Sequence, residues 1–316
     1  MLFAPLVGST PISISRALDR SIPFADNIDA QVFFVARLPR IVAAALVGAS
    51  FAIAGVVFQA LLRNPLASPD TLGVSAGATL GAMTVIAFHL DVSLFGVAAI
   101  PVASFAGSAG AFGIIYAIAA ARRRGTSTTM LLLAGVAISA LLSAFNRFIR
   151  PIADFTDTFR SVRWMMGSLD VGSYREIAAA LLPMAVAFAI IFALPRVLDL
   201  ISMGSDAAEA RGVDVRRAER LALVGASLST GAAVSLGGPI PFVGIIVPHM
   251  VRLIVGADHR VVLPAAALFG ASFLIVCDLV ARTLFGPVEP PVGTVTALIG
   301  GPFFLWLLFR RRPGSL

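Results

Sequence analysis

Between Arg40 and Arg63 stand twenty-two consecutive uncharged residues, IVAAALVGASFAIAGVVFQALL. A helix of that length rises roughly 33 Å, about the thickness of a bilayer's hydrocarbon core. Further apolar runs at 73–90, 97–120, 129–148, 176–195, 221–237, 241–256, 262–285 and 292–309 lie between charged or Pro/Gly-rich breaks. Hydrophobic residues make up 58% of the chain and charged ones 13%, more apolar surface than a soluble core of 316 residues could use, so the solvent is lipid. Alternating ten-residue segments of a membrane barrel are missing. The sequence predicts an all-α polytopic membrane protein with nine clear spans.

A net charge of +7 would suggest nucleic acid in a soluble domain, but here the arginines sit in short loops between apolar runs and read as anchors and topology signals. All 24 basic residues are arginine, a bias that a GC-rich gene explains without chemistry. The densest clusters are ARRRGTS at 121–127 and FRRRPGSL at the C-terminal end. The positive-inside rule puts both in the cytoplasm, and the six spans between them satisfy that parity. Arg147, Arg150, Arg160 and Arg163 then fall outside, so the asymmetry is modest. No cleavable secretory leader is expected from MLFAPLVGSTPISIS.

The hexapeptide ALVGAS occurs at Ala45–Ser50 and again at Ala222–Ser227. By the same parity the two copies open helices of opposite direction, as in an inverted internal repeat. Their small residues let helix backbones approach closely where lipid supplies no hydrophobic drive for association.

The one long charged segment is LDLISMGSDAAEARGVDVRRAER, residues 198–220, on the cytoplasmic side. Breaks at Gly204 and Gly212 suit two short helices divided by Gly212, serving either as a solvated linker or as a docking platform for a soluble partner. Two further stretches interrupt the membrane pattern: RNPLASPDTLGVSAGA, with Pro65 and Pro69, and LGGPIPFVGIIVPHMVR. Proline withholds an amide and biases its predecessor away from helix, and irregular backbone survives at membrane depth only inside protein or beside a water-filled cavity. Paired interruptions point to a translocation pathway, a plain packed turn being the other reading.

Arg37, Arg40 and Arg282 fall at the outer side, where the positive-inside rule would not put them. They are either snorkelling anchors or a grip for acidic residues of a partner. His249 reads as structural, since His89 and His259 lie at no ligand spacing from it. Cys277 excludes an intrachain disulfide framework. Asp278 is the one acidic residue deep in a span. The chain has no phosphate loop, no serine elbow and no acidic relay, so no catalytic constellation is expected.

In chain order, RLPRIVAAALVGASFAIAGVVFQALLRNPLASPDTLGVSAGA, LLLAGVAI, WMMGSL, GGPIPFVGIIVPHMVRLIVGADHR and PPVGTVTALIGGPFFLWLL resemble the permease subunits of ATP-binding-cassette importers for iron-siderophores, haem and cobalamin, of the type II class. The resemblance runs from Arg37 to Arg310. It implies a single transmembrane permease domain over 1–316, with about ten helices, that dimerises as a homodimer or pseudo-dimer. Implied partners are two cytoplasmic cassette ATPases, which use ATP and Mg²⁺, and a periplasmic binding protein; the chain itself binds no cofactor or metal and catalyses nothing. The implied location is the bacterial inner membrane. By the same resemblance Gly204, Glu209, Ala210 and Gly212 couple to the ATPase, Arg37, Arg40 and Arg282 dock the binding protein, and Asn64, Leu66, Ser127 and Thr128 form the inner gate. The family has a full apolar helix before Arg37, whereas only MLFAPLVG could contribute to one here; a short first helix, a downstream start and a nine-span chain are the alternatives. A secondary transporter with inverted repeats, driven by an ion gradient through Asp278, is the rival reading.

Overall fold

The computed structural model of the protein describes residues 11–90, 98–120, 128–152, 161–171, 173–284 and 289–310. Two short helices, α1 (Ile14–Ala17) and α2 (Ile28–Gln31), precede the bundle. Nine longer helices answer to the nine apolar runs: α3 (Leu38–Leu61), α4 (Val74–Ala87), α5 (Ala99–Ala120), α6 (Thr128–Ile149), α7 (Tyr174–Phe192), α10 (Val215–Gly237), α11 (Val243–Val255), α12 (His259–Leu284) and α13 (Val292–Arg310). Between α7 and α10 lie the short α8 (Pro195–Ser202) and α9 (Ser205–Glu209). Among the described residues, six helices are long and apolar enough to cross a membrane, and three shorter apolar stretches accompany them, Val74–Ala87, Val243–Val255 and Val292–Trp306.

α3 is the axis of the bundle, buried along nearly its whole length and packed by α10, α11 and α12. Its glycines make that possible. A Cβ on Gly48 would stand 2.3 Å from the Gly270 carbonyl oxygen of α12, and one on Gly55 would stand 2.0 Å from that of Gly244 in α11. Backbone meets backbone at both points, the close approach that small residues permit in lipid. The glycine of the second hexapeptide behaves alike: a Cβ on Gly225 would meet the Ile191 side chain of α7 at 2.9 Å.

The two hexapeptide helices lie against each other and run in opposite directions. Val47 of α3 neighbours Gly237 of α10, the Ser229 hydroxyl donates to the Ser50 carbonyl at 3.2 Å, and Arg63 at the far end of α3 faces Glu219 near the start of α10.

Three boundaries differ from the sequence reading. The first span starts at Leu38, and a π-helical turn over Val32–Arg37 leads into it, so Arg37 and Arg40 are helical rather than in a loop. Pro39 withholds an amide at the join, and the Phe34 carbonyl in the turn before it accepts instead from the Tyr174 hydroxyl at 2.6 Å. The span expected from 221 begins at Val215, capped by the Asp214 carboxylate accepting from the Arg217 amide at 3.0 Å; its charged first turns are helix, not linker. The two short helices of the charged segment are divided by Gly204, at φ 128°, and not by Gly212, which at φ 80° ends the second. Both angles belong to glycine.

Candidate functional site

α3 begins at one charged assembly and ends at another, roughly 35 Å apart for the 23 residues from Arg40 to Arg63. At its start, Arg40 Nε donates to Asp278 Oδ1 at 2.9 Å and Nη1 to Glu289 Oε2 at 2.8 Å. Arg282, one turn beyond Asp278 on α12, brings Nε to 3.0 Å from Oδ2 of the same carboxylate, a charge pair too poorly aligned for a hydrogen bond. Arg282 Nη2 is buried with no acceptor among the described residues. Arg37 lies within electrostatic range of Arg282. Asp278 is fully buried, Arg37 and Arg282 are 5% exposed, and Glu289 is the member that reaches solvent. Three guanidinium groups thus gather with the carboxylates of Asp278 and Glu289.

The three arginines singled out in the sequence are thus brought together, but around an internal carboxylate rather than displayed singly. Sequence reasoning missed Glu289, which stands in the EPP stretch ahead of α13, and did not pair Asp278 with the arginines. The i, i+4 spacing of Asp278 and Arg282 was the available signal.

At the other end of α3, Arg63 takes φ 45° and closes a Schellman cap: its amide donates to the Ala60 carbonyl at 3.3 Å and that of Asn64 to Gln59 at 3.2 Å. Arginine in the position glycine prefers carries strain of about 1 kcal/mol. Asn64 then folds the turn onward by accepting from the Leu66 amide at 2.9 Å, and Pro65 forbids further helix. Asn64 and Leu66 are half-buried. The chain continues through a 3₁₀ turn, Pro69–Leu72, that packs on α6, of which Thr128 is the first residue; Ser127 lies outside the described residues.

The charged segment sits at this same end. α8 is amphipathic, burying Leu198 and Ile201, and it rests on α3 and α12. Its Asp199 accepts from the His259 amide at 3.0 Å and lies 2.5 Å from His259 Nδ1, so one carboxylate caps α12 and ties α8 to it. A Cβ on Gly204 would come within 3.9 Å of Arg63 Nη1, which puts the segment beside the turn after α3. Glu209, Ala210 and Gly212 are exposed, and nothing lies within 4 Å of a Cβ built on Gly212. Met203 also stands out, 66% exposed, an apolar knob that the sequence reading passed over.

Between the two ends lie the paired interruptions. The break from Gly238 to Phe242 separates α10 from α11, and the Pro69 ring of the first break stands 3.0 Å from a Cβ placed on Gly244. Two positive-φ residues, Gly238 and Phe242, turn the second break. The WMMGSL motif packs into it: the Ser168 amide donates to the Gly237 carbonyl at 2.9 Å, and Gly167 abuts Pro239. His249 meets Phe303 edge to face at 6.1 Å. Cys277 is buried and free.

The end assignments agree with the sequence parity. Pro101 at the start of α5 shares a cavity wall with Ser235 at the end of α10, and Glu289 ahead of α13 reaches Arg40. The far ends of α5 and α13 therefore lie with the α8–α9 arm. Residues 121–127 and 311–316, which carry the triple-arginine stretches apart from Arg310, lie outside the described residues, as does MLFAPLVG.

Comparison with known proteins gives the arrangement a family. Residues 1–310 match the FecCD transport family. The chain is 45% identical over 284 residues, 89% of its length and 74% of the relative's, to the cobalamin import system permease protein BtuC of Halobacterium salinarum. It is 40% identical over 281 residues, covering 87% and 82% of the two chains, to the hemin transport system permease protein HmuU of Yersinia pestis. A solved inward-facing transporter described as of the metal-chelate ABC type superposes with a TM-score of 0.83 at 31% identity, covering 98% of this chain and 95% of that one. The chain belongs to the FecCD transport family, as a multi-pass membrane protein.

Proposed function

We propose that the protein is the permease subunit of an ATP-driven type II importer, taking an iron complex (siderophore or haem) or cobalamin from a periplasmic binding protein across the inner membrane to the cytoplasm. The carrying observation is the placement of the two charged assemblies at opposite ends of α3 and α12, with the paired helix breaks between them. An importer needs one end to receive a loaded partner and the other to receive a motor. The arginine cluster suits the first, because it gathers three guanidinium groups at that end with Arg40 and Glu289 partly exposed, and a guanidinium can pair bidentately with a carboxylate. The α8–α9 arm suits the second, since Met203, Glu209, Ala210 and Gly212 project from it while Asp199 fastens it to α12.

In this reading two copies of the chain flank a central pathway, each with about ten helices related as inverted halves, and the antiparallel hexapeptide helices support that relation. ATP and Mg²⁺ belong to two separate ATPase subunits, and the chain binds neither cofactor nor metal. ATP turnover displaces the arm, and Arg63 beside Gly204 passes the displacement to the Asn64–Leu66 turn, which gates the inner side with Ser127 and Thr128. Catalysis is absent because the chain moves its substrate without altering it. Asp278, held between two guanidinium groups, is not the free carboxylate through which an ion-gradient carrier would couple.

The test is to purify the protein in lipid with a cassette ATPase and to measure co-purification and ATP turnover, then repeat with Gly212→Pro. Proline cannot adopt φ 80°, and the site is exposed, so the change distorts the arm without disturbing the bundle. Retained ATPase with turnover lost in the variant supports the reading; a protein that never retains an ATPase yet accumulates substrate on an ion gradient overturns it.

A further inference from the structure

α10 buries one face and turns another outward. Ala218, Ala222 and Ala226 are buried, and Glu219 on the same side faces Arg63 of α3. On the other side Arg216, Arg217, Arg220, Leu221 and Val224 are exposed, and Leu228 continues the stripe at helical spacing. Arg63 directly follows the twenty-two uncharged residues of α3, so the arginines of α10 at its level stand where hydrocarbon gives way to head groups. This is the end that carries the α8–α9 arm. The stripe is thus basic at that surface and apolar in the hydrocarbon beyond it.

Among the described residues no carboxylate comes within 4 Å of the Arg216, Arg217 or Arg220 guanidinium. The acids beside them in sequence are engaged elsewhere: Asp214 accepts from the Arg217 amide at 3.0 Å, and Glu219 faces Arg63. Arg220 Nε donates to the Arg216 carbonyl at 3.1 Å, which lays the side chain back toward the start of the helix and leaves its four terminal N–H donors for a ligand. Leu228 opens into a groove of about 470 Å³ shared with Phe105, Leu182 and Val186, and Leu182 is 73% exposed, so the groove is open from the side. Arg220 and Leu228 are eight residues apart, about 12 Å, against about 15 Å for half the hydrocarbon core. A soluble partner could meet the arginines but not Leu221, Val224 and the groove; a molecule with an anionic head and an apolar tail meets both. We propose that this face binds a single anionic glycerophospholipid of the leaflet at the α8–α9 end, its phosphate on Arg217 and Arg220 and one acyl chain along Leu221 and Val224 into the groove. The inference rests on the surface of α10 and stands apart from the import reading.

Native mass spectrometry of the purified protein tests it, after incubation with equimolar phosphatidylglycerol and phosphatidylcholine of identical chains. The expected result is a preference for phosphatidylglycerol of about fivefold for each guanidinium, or about twentyfold for the pair. Arg217→Gln combined with Arg220→Gln brings the two lipids to parity. Each single change lowers the preference about fivefold and carries the test if the double variant does not elute as a folded species. Arg211→Gln combined with Arg260→Gln removes the same charge from exposed positions off the stripe and leaves the preference intact. Equal retention of the two lipids in the native protein, a preference that survives the α10 changes, or one that falls as far with the Arg211 and Arg260 changes each overturns the inference. So does an α10 double variant that loses a co-purifying cassette ATPase while keeping its lipid preference, since the face would then belong to that partner.

Discussion

Replacing Asp278 by asparagine removes one negative charge and almost no volume, at a point where two arginines depend on that charge. In the native protein the carboxylate meets Arg40 at 2.9 Å and Arg282 at 3.0 Å, and neither Asp278 nor Arg282 is more than 5% exposed. Arg40 keeps Glu289 at 2.8 Å after the change, but Arg282 is left buried with only the longer-range charge of Glu289 to offset its own. Breaking a buried pair from one side costs about 3–5 kcal/mol, and the asparagine oxygen still accepts from Arg40, which puts the expected loss near 3 kcal/mol. For a chain of this size that lowers the melting midpoint by roughly 4–5 °C. Thermal unfolding in detergent, followed by size-exclusion fluorescence, measures it. Two companions sharpen the reasoning. Glu289→Gln removes a partner that is 32% exposed and costs below about 1 kcal/mol. Asp278→Asn combined with Arg282→Gln removes both charges of the buried pair and regains about 1–2 kcal/mol relative to the sum of the single changes. An Asp278→Asn protein that melts with the wild type, or a double variant that is merely additive, refutes the claim that the cluster is held by that carboxylate.

Gly55→Val drives a side chain into the Gly244 backbone, a contact no rotamer relieves, so expression of folded protein collapses, while Gly113→Ala, with nothing within 4 Å of its Cβ, retains wild-type yield in the same assay. Asp199→Ala removes the acceptor of the His259 amide and strips His259 Nδ1 of its partner, while Asp258 still accepts from the Arg260 amide, for a loss of about 1–2 kcal/mol by thermal unfolding, and hydrogen exchange rises first at residue 259. Gln59→Leu removes the acceptor of the half-buried Arg252 guanidinium and the donor to the Gly244 carbonyl, so α11 loosens from α3 at a cost of about 1–3 kcal/mol, read in the same melt; a melt identical to wild type denies that this bridge matters.

Composition and run length settle the solvent, the helical class and the location of each long helix among the described residues, because uncharged runs of bilayer length have no other stable conformation in lipid. The sequence also marked the breaks, since Pro65, Pro69, Gly204 and Gly238 act on their own backbone within a residue or two. The opposed directions of the hexapeptide helices followed from counting spans between arginine clusters. Helix starts were less legible: charged residues opening α10, and Arg37 and Arg40 entering α3, looked like loop because composition records solvent and not hydrogen bonding. Only tertiary structure decided which charges meet. Asp278 stands 238 positions from Arg40, and Asp199 stands 60 from His259, separations over which no local pattern carries information. Glycine at 48, 55 and 225 could have been filler, until the packing of α3 on α12 and α11, and of α10 on α7, left no room for a methyl group. A chain states which segments must leave water; which segments then touch is settled by close packing among all of them at once.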